Sequence, residues 1–256
     1  MRRSVPILTL TILFAATHAL AADIGLTPPR LALVAAAGET VTATFSVVTT
    51  ASTEQFVEAA ASDWLLDVDG ALSFVPPGTA PFSASPWLTL DAEAFALAPN
   101  GSRELRLEVS VPFGAEGTHH AMVFVTVVPP PSETPGVGVT TTTRVGLTVY
   151  VTVSGTERTG SELVDFYQPD ATTLAAVIVN TGNTVMRLGG LVELRDESGA
   201  VVERLLVPDA PVLRESEREI RFELPGDLEP GFYVALALIE DDRGRLLAGE
   251  LPLEIP

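Results

Sequence analysis

Few side chains in this sequence are of a type and spacing that could do chemistry. His119 and His120 are adjacent, and neighbours on a strand point to opposite faces, so they cannot share one metal ion without distortion. A metal site needs three or four convergent donors, and the chain has no cysteine to supply them. Asp67, Asp69 and Gly70 begin like an acidic calcium loop, but the glutamate that should follow is missing. They read instead as a hairpin turn, as do Asp241, Asp242, Arg243 and Gly244. No G-x-S-x-G elbow accompanies the histidines to make a nucleophile. No carboxylate pair stands apart from a chain holding 33 acids. Trp64 and Trp87 could stack on a sugar or a peptide, but one tryptophan per strand reads as core. The run Pro129, Pro130 and Pro131 is either a polyproline ligand or a stiffened loop. The chain is therefore read as non-enzymatic, with no metal and no cofactor. What remains is a pair of isolated cations, Arg30 and Arg144, each in an apolar strand context. A guanidinium there either closes a salt bridge within the chain or clamps a partner's carboxylate.

Arg144 sits in the stretch that organises the rest, residues 137–153, VGVTTTTRVGLTVYVTV. Odd positions are Val, Thr or Leu, ending in Val145, Leu147, Val149, Val151 and Val153. Even positions are mostly Thr and Gly. Such period-two alternation of β-branched residues is a strand with one apolar row. At about 3.3 Å per residue it would span roughly 55 Å, far beyond an ordinary strand. It either bends at Gly146 or offers its first half to another strand.

The other elements follow the same rule. Strand-like runs at 31–34, 41–47, 56–64, 71–75, 87–90, 95–97, 103–111 and 119–128 are separated by turns at Gly38-Glu39, 67–70 and Pro99-Asn100-Gly101. Pro28 and Pro29 predict an edge strand or an interruption there. The proline-rich stretch 76–86 reads as loop. Beyond the small, polar linker 154–160 come runs at 173–179, 185–194, 201–207, 218–224, 231–239 and 246–255. The fold class is all-β, two tandem immunoglobulin-like sandwiches over 22–153 and 161–256, the second with about seven strands.

Arg2 and Arg3, the apolar run 5–16 and Ala19-Leu20-Ala21 make residues 1–21 a secretory signal peptide. The mature chain of 235 residues is expected to be exported, with no later run long enough to insert in a membrane. Net charge is −18, and −20 once Arg2 and Arg3 are removed. Nucleic acid, which demands clustered cations, is excluded as a partner.

Four segments in order, IGLTPPRLAL, TLDAEAFALAPNGSRELRLEV, HHAMVFVTVVPPP and VGVTTTTRVGLTVYVTV, together with AAVIVNTGNTVMRLGGL in the second half, resemble the PapD-like periplasmic chaperones of pilus assembly. The resemblance implies a periplasmic location and an L of two immunoglobulin-like domains. It implies a cleft whose two cations, here Arg30 and Arg144, hold a subunit's C-terminal carboxylate. It also implies a donated strand row of Val137, Val139, Thr141 and Thr143. The implied partner is an exported β-rich pilus-type subunit, with an outer-membrane usher beyond it. The family's second cation is usually lysine, and alignment on LTVYV puts Gly146 at its place. The alternative class is an envelope or cell-surface module, structural or adhesive, built on the same fold.

Overall fold

The alternation at 145–153 becomes layering. In the computed structural model, which describes residues 23–129 and 142–255, β10 (Arg144–Val153) turns Leu147, Val149, Val151 and Val153 fully inward. Burying each such side chain contributes roughly 1.5–3 kcal/mol. They meet Phe45 and Val47 of β3 (Thr40–Thr49), Val57 of β4 (Gln55–Leu66), Leu105, Leu107 and Val109 of β8 (Ser102–Ser110), and Val123 and Val125 of β9 (Gly117–Val128).

Two sheets enclose this core. One runs β1 (Ile24–Thr27), β3, β8, β6 (Leu88–Leu90). The other runs β2 (Arg30–Ala35), β10, β9, β4, β5 (Leu72–Val75), with β7 (Ala94–Leu97) also on β4. Pro28 and Pro29 do interrupt the first strand. Before them β1 pairs with β3, and after them β2 crosses to the opposite sheet and runs parallel to β10. Both halves are edges, where a residue without an N–H costs no ladder bond.

The second sandwich packs a sheet of β11 (Ser161–Asp170), β12 (Thr173–Asn180) and β16 (Glu217–Glu223) on one of β14 (Val201–Leu206), β13 (Met186–Asp196), β17 (Gly231–Asp241) and β18 (Leu246–Ile255), with β15 (Ala210–Val212) pairing β13. Eight strands replace the seven expected. β11 escapes a reading by periodicity because bulges between Leu163 and Asp165 and between Tyr167 and Asp170 break its alternation. β15 is only three residues long.

Candidate functional site

The odd row of β10 feeds the core, so its even row faces out of it, with Thr148 and Tyr150 lining the space between the sandwiches. Along its whole length β10 pairs antiparallel with β9, from Arg144 opposite Thr126 to Val153 opposite Gly117. Its other neighbour, β2, reaches only from Val153 back to Thr148, which stands opposite Arg30. The Thr148 amide donates to the Pro29 carbonyl, so even residues direct their backbone groups to that side. By alternation Arg144 and Gly146 present theirs to an edge that no described strand covers. Thr143 still accepts from the Val127 amide at 2.9 Å. Val137, Val139 and Thr141, the rest of the expected donated row, lie outside the described residues, as do the leader 1–21 and Pro130 and Pro131.

Where the open edge ends, a cleft begins. It encloses about 430 Å³. Trp64, Met122 and Tyr150 line it from the first sandwich, and Arg30 stands exposed at its mouth. The second sandwich contributes Arg187, Arg218 and Asp209. Arg187 grips one carboxylate oxygen of Asp209, its Nε donating at 2.7 Å, and this bond holds the Asp209 carboxyl below its ordinary range. Burial pushes the Tyr150 phenol up, while the positive charges of Arg187 and Arg30 pull it back. Three arginines thus line one cleft in a chain of net charge −18, with Arg187 held by Asp209 and Arg218 donating to the Asp67 carbonyl; guanidiniums in such a cleft suit a carboxylate.

Arg144 is not among them. The register puts it four residues beyond Arg30's neighbour Thr148, about 13 Å along the strand at the usual rise. Its guanidinium lies 3.5 Å over the ring of Phe124, which stacks edge-on to Phe74. The expected convergence of Arg30 and Arg144 is therefore not what the structure brings together. The cations that share Arg30's cleft are Arg187 and Arg218, on strands whose apposition to β2 no local pattern encodes. The histidines diverge as adjacent strand residues must. His120 faces the cleft side, its Nε2 3.2 Å from the Trp64 carbonyl, and His119 stacks on Trp87 at 4.2 Å. Burial lowers the pKa of both.

The cleft's shape depends on three joints between the sandwiches. At one, Leu213 packs with Trp64, Met122, Phe124 and Tyr150. At another, Arg214 donates from Nη1 to the Glu116 carbonyl at 2.6 Å and lies 3.8 Å over the Phe82 ring. Beside it the Thr118 amide donates to the Asn183 carbonyl at 2.8 Å, and Asn183 itself bonds Arg158 and Thr156 of the connecting segment. At the third, the acidic turn docks on β16. The Glu219 amide donates to the Val68 carbonyl at 2.8 Å, and Arg221 lies 3.6 Å from Asp69. Asp67 Oδ1 accepts from the Ala71 amide, so its carboxylate is engaged in closing the turn.

Gly70 makes that third joint possible. Its φ is +84° and a Cβ there would collide with the Arg218 guanidinium. We expect Gly70→Ala to cost about 1–3 kcal/mol from the left-handed backbone and the displaced arginine, read in denaturant unfolding followed by tryptophan fluorescence.

No family model matches the chain, and no curated protein matches it. Solved structures do. The chain superposes on the chaperone YadV with a TM-score of 0.52 at 11% identity, covering 90% of this chain and 100% of that one. It superposes on a chain of a chaperone–tip adhesin complex, described as vital for activation of CFA/I fimbriae biogenesis, with a TM-score of 0.51 at 10% identity, over 90% and 98%. The class defined is thus a two-domain, all-β protein of tandem immunoglobulin-like sandwiches. Within that class its fold is the one seen in the YadV chaperone and in the matching chain of that chaperone–tip adhesin complex.

Proposed function

We propose that this protein is a periplasmic, non-enzymatic chaperone, a diverged relative of the pilus chaperones. It binds exported β-rich subunits by pairing with the open edge of β10 and delivers them for assembly at the outer membrane. The observation that carries this reading is the backbone edge at Arg144 and Gly146, which no described strand covers, running directly into the arginine-lined cleft at Arg30. Strand addition supplies backbone hydrogen bonds at the edge, and a terminal carboxylate is the group the cleft's cations suit. The second cation is Arg187, from the other domain, in place of Arg144. Without a client, Arg187 is occupied by Asp209, so a client carboxylate competes with a built-in one.

This predicts variants of opposite sign. Arg30→Ala should lower client affinity by about 2 kcal/mol or more, some 30-fold, because a charged partner is removed from a hydrogen-bonded pair. Asp209→Asn should raise it by freeing Arg187. The test is co-purification from the native periplasm, followed by titration of the recovered subunit against each variant. Recovery of the same proteins with wild type and folded Arg30→Ala, or of none with either, would sink the chaperone reading.

A further inference from the structure

The sheet of β14, β13, β17 and β18 has a second face, turned away from its core, and that face is apolar where water should meet it. Along β17 the outward positions are Phe232, Val234, Leu236 and Leu238, ending in Glu240, with Phe232 59% and Val234 39% exposed. Leu206, at 75%, extends the patch to β14 through Leu191, which pairs with both Leu206 and Leu238, and Pro252 on β18 completes the row through Val234. A contiguous apolar surface across a sheet marks an interaction site.

The charges around it are segregated. On the β14 and β13 side stand Arg204 and Arg195, both held by one carboxylate, Glu193, at 3.1 and 2.6 Å. Glu193 is only 8% exposed. It fixes both guanidiniums beside the apolar stripe and leaves that flank with one positive charge in excess. On the β18 side the outward positions include Glu250 and Glu254, for which no ion pair is found among the described residues. One flank is cationic, the other anionic, and the stripe between them is apolar.

We propose that this face is a homodimer interface, its occupant a second copy of this chain related by a two-fold axis lying parallel to β17. That operation lays β17 against β17, burying the stripe on itself. It also carries Glu250 of one copy, which shares the Leu236 row with Glu193 and Arg204, onto the arginine pair held by Glu193 in the other, twice per dimer, as an isologous contact requires. An axis across the strands would set like charge on like charge, so the pattern selects the first. The interface lies apart from the cleft and from the open edge of β10, so dimerisation does not depend on the function proposed above.

Sedimentation of the full exported chain tests it. Wild type should show a mass rising from monomer to dimer with concentration. Val234→Arg places a cation in the centre of the stripe, and should raise the dissociation constant by about 100-fold or more while leaving the thermal unfolding midpoint of the monomer near that of wild type. Because a central substitution could act by general disruption, the flanks give an independent reading. Arg195→Glu and Glu250→Arg should each weaken the dimer by roughly tenfold, and the two combined should recover most of the loss. Wild type remaining monomeric up to about 1 mM, where even a weak association would register, would overturn the proposal. So would a dimer indifferent to Val234→Arg, or a Val234→Arg chain that loses a co-purifying protein while wild type is monomeric, since the face would then belong to that protein.

Discussion

Replacing Asp63 with alanine should lower the stability of the first sandwich by about 3–5 kcal/mol, because it strips a buried carboxylate from the donors built around it. Asp63 is fully buried near the end of β4. One oxygen accepts from the amides of Thr79 and Ala80, both at 2.8 Å, and the other from the hydroxyls of Ser83 and Ser85, at 2.6 and 2.5 Å. The alanine variant leaves two N–H groups and two hydroxyls facing an apolar gap. The consequence is not confined to the pocket. The same loop seats Phe82, whose carbonyl accepts the His120 amide and whose ring lies under Arg214. Equilibrium unfolding in denaturant measures the loss, and a change below about 1 kcal/mol would show that the loop is held by something else.

The same carboxylate gives the stability a pH dependence of known sign. Burial raises the Asp63 pKa, but the two serine hydroxyls and the Ala80 and Thr79 amides outweigh it, and the folded value falls below 3.8. A group depressed on folding contributes stability that is complete above its unfolded pKa, about 4, and is lost as pH falls through the folded value. The acid limb of wild-type stability should therefore be steeper than that of Asp63→Asn, which keeps the shape but does not titrate.

What the sequence made legible was whatever repeats at short range. The alternation of β10 predicts which of its residues enter the core, and Leu147, Val149, Val151 and Val153 do. The proline pair predicts the break between β1 and β2. The resemblance carried by IGLTPPRLAL placed Arg30, which does line the cleft. Register across distant strands is different, since nothing in residues 137–153 says that β2 will stop pairing at Thr148. Arg144 therefore looked like Arg30's companion although it stacks on Phe124, 20 positions upstream in sequence. Arg187 and Asp209 show the same limit. Arg187 is an ordinary alternate residue of β13 and Asp209 an ordinary loop acid until β15 folds back on β13. The proline-rich stretch 76–86 read only as loop because its anchor, Asp63, precedes it by more than a dozen residues.

The joint at Arg214 decides whether these pieces act as one body. Arg214→Ala should cost about 2–4 kcal/mol of coupling between the sandwiches, by removing a charge-assisted bond to Glu116 and a cation stacked on Phe82. Each sandwich has its own core, one around Phe45 and Leu147 and one around Leu174 and Ile239, so neither should unfold on this account. The expected result is instead that one calorimetric transition becomes two. Arg214→Lys should not restore a single transition, because an ammonium can bond the Glu116 carbonyl but lacks the planar face that lies on Phe82. A single, unshifted transition in the alanine variant would assign the coupling to Asn183 and to the docked turn at Val68 instead. If the transitions separate, client binding should weaken without any change at Arg30 itself. Arg30 and Arg187 stand on different sandwiches, and a carboxylate can be held by both only while the angle between those sandwiches is fixed. A split transition with unchanged client affinity would mean that Arg30 alone makes the site.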